Sequence, residues 1–440
     1  MNDATPSLDP VHGAPALQFE NQLLEKIVDI EAWFRNEWRK TNPPFYCSVD
    51  LRNAGYKLAP VDTNLFPGGF NNLNREFDSL CIQAIQSAVD RVCPLAKGVL
   101  LVPENHTRNK FYLENVATLA ELIRQAGFHV HIGSLLPEIR EPTRLTLEIS
   151  GRELVLEPLT RDGQRVKVGD FSPCVVLLNN DLSAGIPPIL EGVEQVVVPP
   201  TGAGWHARLK THHFGYYRDV CAEFAKVAGI DPWFVDPLFR NCGQINFMKR
   251  EGEECLVSNV ELLLEDIREK YAQYGITEKP FVIVKADAGT YGMGVMTVRS
   301  ADDVREMNRK ARTHMASAKE GREVTGAIIQ EGVPTFETWG PERHVAEPVV
   351  YMIDRFVVGG FYRVNSKRGT QENLNSPGMS FQPLPFESCC NHPDLSEDAD
   401  AMPNRFWVYG VTARLALVAA AREIAGLAKG TLREPAAGSA

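Results

Sequence analysis

Residues 282–295, VIVKADAGTYGMGV, place a lysine at the end of a β-branched apolar run and follow it with a glycine-rich turn. The run has the composition of a buried strand, and Lys285 closes it. Gly289, Gly292 and Gly294 give the spacing G-x-x-G-x-G, which is neither the dinucleotide fingerprint nor the P-loop. Such a turn can present backbone N–H groups to an anion, with Lys285 adding a positive charge. The alternative is an ordinary glycine hairpin with a lysine at its edge.

The chain continues through a predicted strand at 295–298 and a predicted helix from Asp302 to about Lys319. The next segment, IIQEGV, has a short apolar run followed by Gln330 and Glu331, and it ends in Val333. A strand end of this kind can offer backbone groups to an adenine edge. On this stretch alone, a plain strand end is the simpler interpretation.

Arg363 lies in an otherwise apolar strand pair predicted within 347–365. A buried arginine there requires an anionic partner, whereas an exposed edge arginine requires none. The loop that follows, ENLNSPG, is rich in amide side chains and contains Asn373 and Asn375. This region is therefore a candidate site for an anionic ligand.

Composition excludes several classes of protein. A formal net charge of −10 argues against a nucleic-acid groove, and no apolar run reaches the ~20 residues of a membrane helix. The polar, acidic start is not typical of a signal peptide. The nine cysteines show no CxxC spacing, which favours a reducing cytoplasm. The adjacent Cys389 and Cys390 are expected to be reduced, and a redox-active pair is the alternative.

The 440 residues are enough for two or three domains. Residues 1–17 are expected to be disordered, and 18–42 have the apolar periodicity of a helix. A hairpin is predicted around Asn53-Ala54-Gly55, between FYCSVDLR and YKLAPVDTN. Strands alternating with a helix over about 98–200 indicate a small parallel α/β lobe, with a β-meander at 141–170. Residues 201–275 are predicted to be mainly helical.

The order of strand, lysine, glycine loop, helix, Gln-Glu strand and arginine hairpin resembles the ATP-grasp fold, in which two α+β subdomains clamp ATP. This resemblance implies that Lys285 and the three glycines cover the phosphates. It also implies that Gln330, Glu331 and Val333 pass the adenine. ATP-grasp chains commonly end with a strand pair that carries acidic magnesium ligands, and here the chain stops before such a pair.

The hairpin at 48–69 resembles that missing metal-binding pair. Asp62 and Asn64 are two residues apart on a predicted strand and so point to one face, and Asp50 lies on the other strand. Oxygen ligands of this kind suit Mg²⁺. The expected fold is therefore α/β (α+β), an ATP-grasp fold in circularly permuted order with an inserted small parallel lobe.

Eukaryotic-type glutathione synthetases have this permuted layout, and several segments are similar to theirs. WHARLKTHHF resembles the segment of their first phosphate-binding lysine, here Lys210. VAEPVVYMID resembles the strand whose glutamate reaches ATP, here Glu347. GGFYRVN resembles the strand whose arginine takes a substrate carboxylate, here Arg363. LLVPENHTRNKFYLEN resembles their strand–loop–helix with an Arg-Asn pair, here Arg108 and Asn109.

Arg52 is a further expected carboxylate ligand. Asn373 and Asn375 stand where those synthetases have a glycine-rich substrate lid. Their additional metal glutamate has no counterpart unless Asp287 serves. These departures suggest a relative with another acceptor.

Residues 20–430 resemble a bacterial glutamate–cysteine ligase family. The resemblance implies ATP-dependent formation of γ-glutamylcysteine through an acyl phosphate, with Lys285 and Arg363 as the catalytic cations and Mg²⁺ as cofactor. Glutathione synthetase and a non-catalytic ATP-binding regulator are the alternatives. The expected partners are ATP, glutamate and cysteine, with no nucleic acid and no membrane, and a homodimer is allowed.

The resemblance also implies domain bounds. They are a tail at 1–17, a first part of the core at 18–97, a substrate-binding lobe at 98–200, and the ATP-binding subdomains with the last helix at 201–440.

Overall fold

The computed structural model describes residues 14–105, 109–288, 294–316, 324–384, 392–399 and 401–431. The helices in these ranges are α1 (Ala14–Glu25), α2 (Ile27–Lys40), α3 (Asp78–Val92), α4 (Lys110–Gln125), α5 (Lys210–Ala228), α6 (Glu253–Tyr274), α7 (Ala301–Arg305), α8 (Arg309–Ala316) and α9 (Met402–Ala428). Within these ranges, no helix is both long enough and apolar enough to cross a bilayer.

The strands of the first half of the chain are β1 (Tyr46–Asn53), β2 (Leu58–Asn64), β3 (Gly98–Pro103), β4 (His129–Ser134), β5 (Thr143–Thr146), β6 (Glu153–Pro158), β7 (Thr160–Asp162), β8 (Arg165–Lys167), β9 (Val175–Asn179) and β10 (Val196–Val198). Those of the second half are β11 (Phe239–Cys242), β12 (Val282–Ala286), β13 (Val295–Val298), β14 (Ala327–Glu331), β15 (Thr338–Trp339), β16 (His344–Ile353), β17 (Phe356–Asn365) and β18 (Met379–Pro383).

A central antiparallel sheet, in the order β18-β17-β16-β1-β2, brings both ends of the sequence together. β1 and β2 form the predicted hairpin, and β1 pairs with β16 across about 300 residues of sequence. Helix α9 packs on α5 and on the back of β1 and β2. It is buried over most of its circumference, as its nearly continuous apolar sequence requires.

A second sheet, in the order β11-β14-β12-β13, contains the strand that ends in Lys285. β12 and β13 pair in antiparallel register on either side of the glycine turn, as predicted. The residues of β14 are all buried, and β14 pairs with both β12 and β11. Helix α6 covers β11, β12 and β14.

The third sheet, in the order β10-β9-β3-β4-β6-β5, is parallel except for β5. Its central strands β3 and β9 are entirely buried, which explains why their sequences are uninterrupted apolar runs. All its strands lie within the segment 98–200. β7 and β8 form a separate hairpin, so 141–170 contains two strand pairs and not one meander.

Three local expectations need correction. The first helix begins at Ala14, inside the segment 1–17 that was expected to be disordered; residues 1–13 lie outside the described ranges. The helix predicted from Asp302 is two short helices, α7 and α8, because Asn308 starts a new turn by accepting from the Ala311 amide. Cys93 and Cys174 form a disulfide, although reduced thiols were expected. Cys389 and Cys390 lie outside the described residues.

A buried polar cluster lies between the central sheet and α9. The Glu337 carboxylate accepts hydrogen bonds from the Tyr409 hydroxyl and from Asn53 Nδ2. Its second oxygen is buried without a partner among the described residues, and so is the Tyr362 hydroxyl. Burial raises the pKa of Glu337 to about 7, although Tyr409, Arg405 and Asn53 favour the carboxylate.

Glu337→Gln should therefore stabilise the protein at high pH. A carboxyl group whose folded pKa is raised loses its contribution to stability as pH rises towards that pKa. The glutamine keeps the accepting oxygen and carries no charge. We expect a gain of about 3 kcal/mol in unfolding free energy at pH 8 and less than about 1 kcal/mol at pH 5, measured by urea denaturation. Glu342→Gln, at an exposed glutamate, is the control and should change neither value. An equal gain at both pH values would contradict this assignment.

Candidate functional site

The hairpin of β1 and β2 presents Asp50 and Asp62 as direct cross-strand partners. Directly opposed residues of an antiparallel pair point to the same face. Asn64 and Ser48 form another opposed pair on that face. Asn64 Oδ1 also accepts from the Phe66 amide, which fixes the turn that leaves the strand. The three predicted metal ligands Asp50, Asp62 and Asn64 therefore share one surface.

Asp62 is paired with the lysine that begins α5. Lys210 Nζ lies 2.8 Å from Asp62 Oδ1 and 4.2 Å from the centroid of the Trp205 ring. Burial opposes ionisation of Asp62, but Lys210 and Lys285 outweigh it and lower the pKa of Asp62 to about 2. This carboxylate is therefore charged throughout the physiological range.

Lys285 reaches the same hairpin from the second sheet. Its Nζ donates to the carbonyl of Val61 at 2.8 Å and to Gln330 Oε1 at 2.7 Å. Burial lowers the pKa of Lys285 to about 8; Asp62 opposes this shift and Lys210 adds to it. Gln330 Nε2 is left buried without a partner in the described part of the chain. The Nε2 donor of Gln330, unpartnered among the described residues, thus belongs to the side chain that binds Lys285, a lysine whose pKa of about 8 lets it lose its charge near neutral pH.

Arg363 connects two carboxylates. Its Nη1 donates to Asp50 Oδ2 at 2.7 Å and to Glu347 Oε1 at 2.6 Å. The charges of Asp50 and Glu347 outweigh burial and raise the pKa of Arg363, while burial raises the pKa of Asp50 despite Arg363. Arg363 Nε has no partner among the described residues. Asp62, Asp50, Glu347 and Arg363 are called the ionic row below.

Arg52, the further expected carboxylate ligand, contacts Glu347 and the loop that follows β17. Its Nε lies 2.5 Å from Glu347 Oε2, and its two terminal nitrogens donate to the carbonyls of Thr370 and Glu372. These contacts hold the start of the loop that contains Asn373 and Asn375 against the central sheet.

A buried ion pair supports the metal hairpin from behind. Arg208 Nη1 donates to the carbonyl of Thr63, the residue between Asp62 and Asn64, at 2.7 Å. Its Nε and Nη2 donate to the two oxygens of Glu423 on α9, at 2.9 and 3.0 Å. Arg208 and Glu423 are both buried. The last helix therefore fixes the backbone of β2 at the site.

Asp287 has a structural role. Its Oδ1 accepts from the Thr211 amide and its Oδ2 from the Thr211 hydroxyl, so both oxygens are used at the start of α5. Its carbonyl accepts from the Lys210 amide. Asp287 therefore positions Lys210.

The first of two cavities lies between the second sheet and the ionic row. Its apolar walls are Phe281, Ile283, Val295 and Val333, and its polar lining includes Lys210, Lys285, Arg52, Gln330, Glu331, Glu347, Asn373 and Asn375. Although Glu331 is part of the lining, its carboxylate is bonded to residues outside this cavity. It accepts from Lys57 at 2.7 Å, from the Trp233 indole and from the Leu238 amide, which fixes the strand end.

The second cavity lies on the other side of the ionic row, towards the third sheet. Asp50, Asp62, Arg363 and Asn375 line both cavities. The remaining lining includes Asn64, Asn109, Asn72, Asn115, Glu104, Asp181, Tyr351, Phe361 and Phe381. Asn109 also caps α4 by accepting from the Tyr112 amide. The two cavities therefore adjoin each other at the charged side chains of Asp50, Asp62 and Arg363.

The predicted site residues within the described ranges line one of these cavities, except Gly294, which continues the β12–β13 hairpin. Gly289, Gly292 and Arg108 lie outside the described residues. The sequence interpretation missed the apolar walls Phe281, Ile283 and Val295, the support residues Arg208 and Glu423, and the aromatic residues of the second cavity. Tyr351 and Phe361 could have been found, because they share strand periodicity with Glu347 and Arg363.

No group of three or more His, Cys, Asp or Glu side chains is placed to hold a metal in the part of the chain that the structure describes. Two carboxylates and an amide nevertheless suit Mg²⁺, which is commonly held by one or two protein carboxylates together with phosphate oxygens and water. The donor set at Asp50, Asp62 and Asn64 is compatible with that chemistry.

The chain is 55% identical to a candidate gamma-glutamylcysteine synthetase from Methylobacillus flagellatus KT, with a TM-score of 0.90 over 97% of this chain and 100% of that one. A glutathione synthetase-like effector from Globodera pallida is 8% identical, with a TM-score of 0.39 over 86% of this chain and 84% of that one. That likeness is too distant to carry an argument. No curated protein matches the sequence significantly. The family model for GshA, glutamate-cysteine ligase, matches residues 20–424. The chain belongs to the GshA glutamate-cysteine ligase family.

Proposed function

We propose that this chain joins the γ-carboxylate of glutamate to the amine of cysteine on a circularly permuted ATP-grasp fold. The products are γ-glutamylcysteine, ADP and phosphate, in the first step of glutathione biosynthesis. One observation carries the proposal: Lys285 Nζ lies 2.8 Å from the carbonyl of Val61, 224 residues away in sequence. An early acidic hairpin and a late lysine strand thus form one cleft, as a permuted ATP-grasp chain requires.

The domain division follows from the same proposal. Residues 18–97 and 201–440 form the ATP-binding core, and 98–200 form the lobe that closes the amino-acid side. We place the enzyme in the cytoplasm, where ATP is available.

The first cavity suits ATP. Phe281, Ile283, Val295 and Val333 offer apolar walls to a base, while Lys285 and Lys210 lie at the end where phosphates would enter. Gln330 Nε2, buried and without a partner among the described residues, offers a donor to the nucleotide. The glycine loop at 289–294 follows directly on Lys285 and would cover the phosphates.

Asp50, Asp62 and Asn64 would hold Mg²⁺, which when bound neutralises phosphate charge and favours transfer to the glutamate carboxylate. The rest of the chemistry is positioning by this chain's own residues. Arg363, whose Nε has no partner in the part of the chain that the structure describes, would bind a substrate carboxylate at the junction of the two cavities. Arg108, Asn109, Asn373 and Asn375 would orient the amino acids. Arg52 would hold the loop of Asn373, given its bonds to the carbonyls on either side of Gln371.

The reaction itself is the first test. With ATP, Mg²⁺, glutamate and cysteine, the purified protein should release phosphate and form γ-glutamylcysteine, identified by mass spectrometry. Omitting cysteine should reduce phosphate release strongly, because the acyl phosphate is protected from water in a closed site. Ligation of glycine to γ-glutamylcysteine, without ligation of free glutamate to cysteine, would identify a glutathione synthetase instead. Nucleotide binding without ligation of either kind would identify a regulator.

Lys285→Ala should lower kcat/KM for ATP by about 10²–10³-fold, because one preorganised positive charge at the phosphates is lost. Lys279→Ala, at an exposed lysine on the approach to β12, is the matched control and should retain full activity.

The pH dependence gives an independent check on Lys285. Only the protonated lysine can bind phosphate, so kcat/KM for ATP should fall as pH rises through about 8, the pKa of Lys285 in the free enzyme. Lys285→Arg should retain partial activity and lose this inflection, because arginine stays charged. Retention of the inflection in Lys285→Arg would assign it to another group.

Arg208→Lys should weaken the dependence of activity on Mg²⁺. Lysine keeps the buried charge but cannot donate to Glu423 and to the Thr63 carbonyl in the same planar arrangement, so the strand of Asp62 and Asn64 is held less firmly. We expect the Mg²⁺ concentration for half-maximal rate to rise about 10-fold, with little change in KM for glutamate. Arg422→Lys is the control, since Arg422 on α9 pairs with Glu37 and Glu223 on the outer side. A uniform loss of rate with unchanged Mg²⁺ dependence would show that Arg208 serves stability alone.

A further inference from the structure

The face of the central sheet that carries the ionic row changes character from one edge to the other. Asp62 on β2 is opposed to Asp50 on β1, and Asp50 is opposed to Val349 on β16. Val349 is in turn opposed to Phe361 on β17. Directly opposed positions share a face, so the surface passes from two carboxylates to an apolar residue and then to an aromatic ring.

The next row of opposed residues on this face also changes from charged to aromatic towards β18. Glu347 on β16 is opposed to Arg363 on β17, and Arg363 is opposed to Phe381 on β18. The ring centroids of Phe361 and Phe381 lie 5.0 Å apart, and those of Tyr351 and Phe361 lie 5.4 Å apart. Tyr351, Phe361 and Phe381 are called the aromatic patch. It lines the second cavity directly beside Arg363.

We propose that the aromatic patch receives the side chain of the acceptor amino acid and selects a thiol over a hydroxyl. This inference rests on the proposed function. The oxygens of the phosphate and of the activated γ-carboxyl group require cations. These groups must therefore lie near Arg363 of the ionic row and near Lys210 and Lys285. The acceptor amine must come within about 3–3.5 Å of that carbon, which places the acceptor at the edge of the ionic row.

The two amino acids differ in what they can place on an apolar surface. Glutamate carries charge at both ends, whereas cysteine has a small uncharged side chain whose sulfur packs well against aromatic rings. The amide-rich wall of the second cavity, with Asn72 and Asn109, suits the charged groups of glutamate. Trp205, another ring in this cavity, is already covered by Lys210 Nζ at 4.2 Å. Among the rings of this cavity, those of the aromatic patch adjoin Arg363, and we therefore match this surface to cysteine.

Phe381 gives the sharpest test, because it lies on the terminal strand of the sheet and is only partly buried. In Phe381→Ala, KM for cysteine should rise about 10-fold, while KM for ATP and for glutamate should change less than twofold. The preference for cysteine over L-serine, measured as a ratio of kcat/KM values, should fall at least threefold. Phe381→Leu, which keeps an apolar side chain without a ring, should give an intermediate rise in KM for cysteine and serves if the alanine variant does not fold.

Phe356→Ala is the matched control: this phenylalanine begins the neighbouring strand β17, is exposed and lines neither of the two cavities. It should leave every constant unchanged. A rise in KM for glutamate in place of cysteine would assign the aromatic patch to the donor and overturn the inference. Unchanged constants in both Phe381 variants would also overturn it. If the parent enzyme joins no cysteine to glutamate, the proposed function fails as well, and this parent assay separates the two failures.

Discussion

Two lysines that reach one strand from different parts of the chain determine the geometry of the cleft. Lys210 pairs with the Asp62 side chain, and Lys285 donates to the carbonyl of Val61 immediately before it. Lys210 is itself fixed, because its amide donates to the Asp287 carbonyl and Thr211 next to it binds the Asp287 carboxylate. The second sheet, α5 and the early hairpin are therefore joined at one point. The first cavity, the ionic row and the second cavity are arranged around that point.

Local signals made the elements around this point predictable. The β1–β2 hairpin and the strand of Lys285 have strand composition and glycine turns, and the spacing of Asp62 and Asn64 places both on one face. The contact between the hairpin and the lysine strand is not local. It was predicted only because the order of segments resembles a permuted ATP-grasp chain, and no periodicity within either segment indicates it.

The residues that support the site could not be predicted, because their partners are distant in sequence and their local patterns are ordinary. Arg208 and Glu423 are 215 positions apart, and each sits in a segment that reads as plain helix or loop. The Glu331 carboxylate binds Lys57, 274 positions away, so the sequence indicated a nucleotide role but not the direction of the side chain. The Cys93–Cys174 disulfide spans 81 positions, which no spacing rule detects. The bonds from Arg52 to the carbonyls of Thr370 and Glu372 were not predicted either, because these residues lie 318 and 320 positions away.

The balance of charge in the cleft explains why a divalent cation belongs to the proposed reaction. Four cations, Lys210, Lys285, Arg52 and Arg363, line the first cavity together with the carboxylates of Asp50, Asp62 and Glu347. Each of these carboxylates already contacts one of the cations other than Lys285. Phosphates that enter such a site compete with Asp50 and Asp62 for the same positive charges, and like charges at these distances repel strongly in a partly buried cleft. A Mg²⁺ ion held by Asp50, Asp62 and Asn64 would offset this repulsion. It would also leave Lys210 and Arg363 free to contact the substrates.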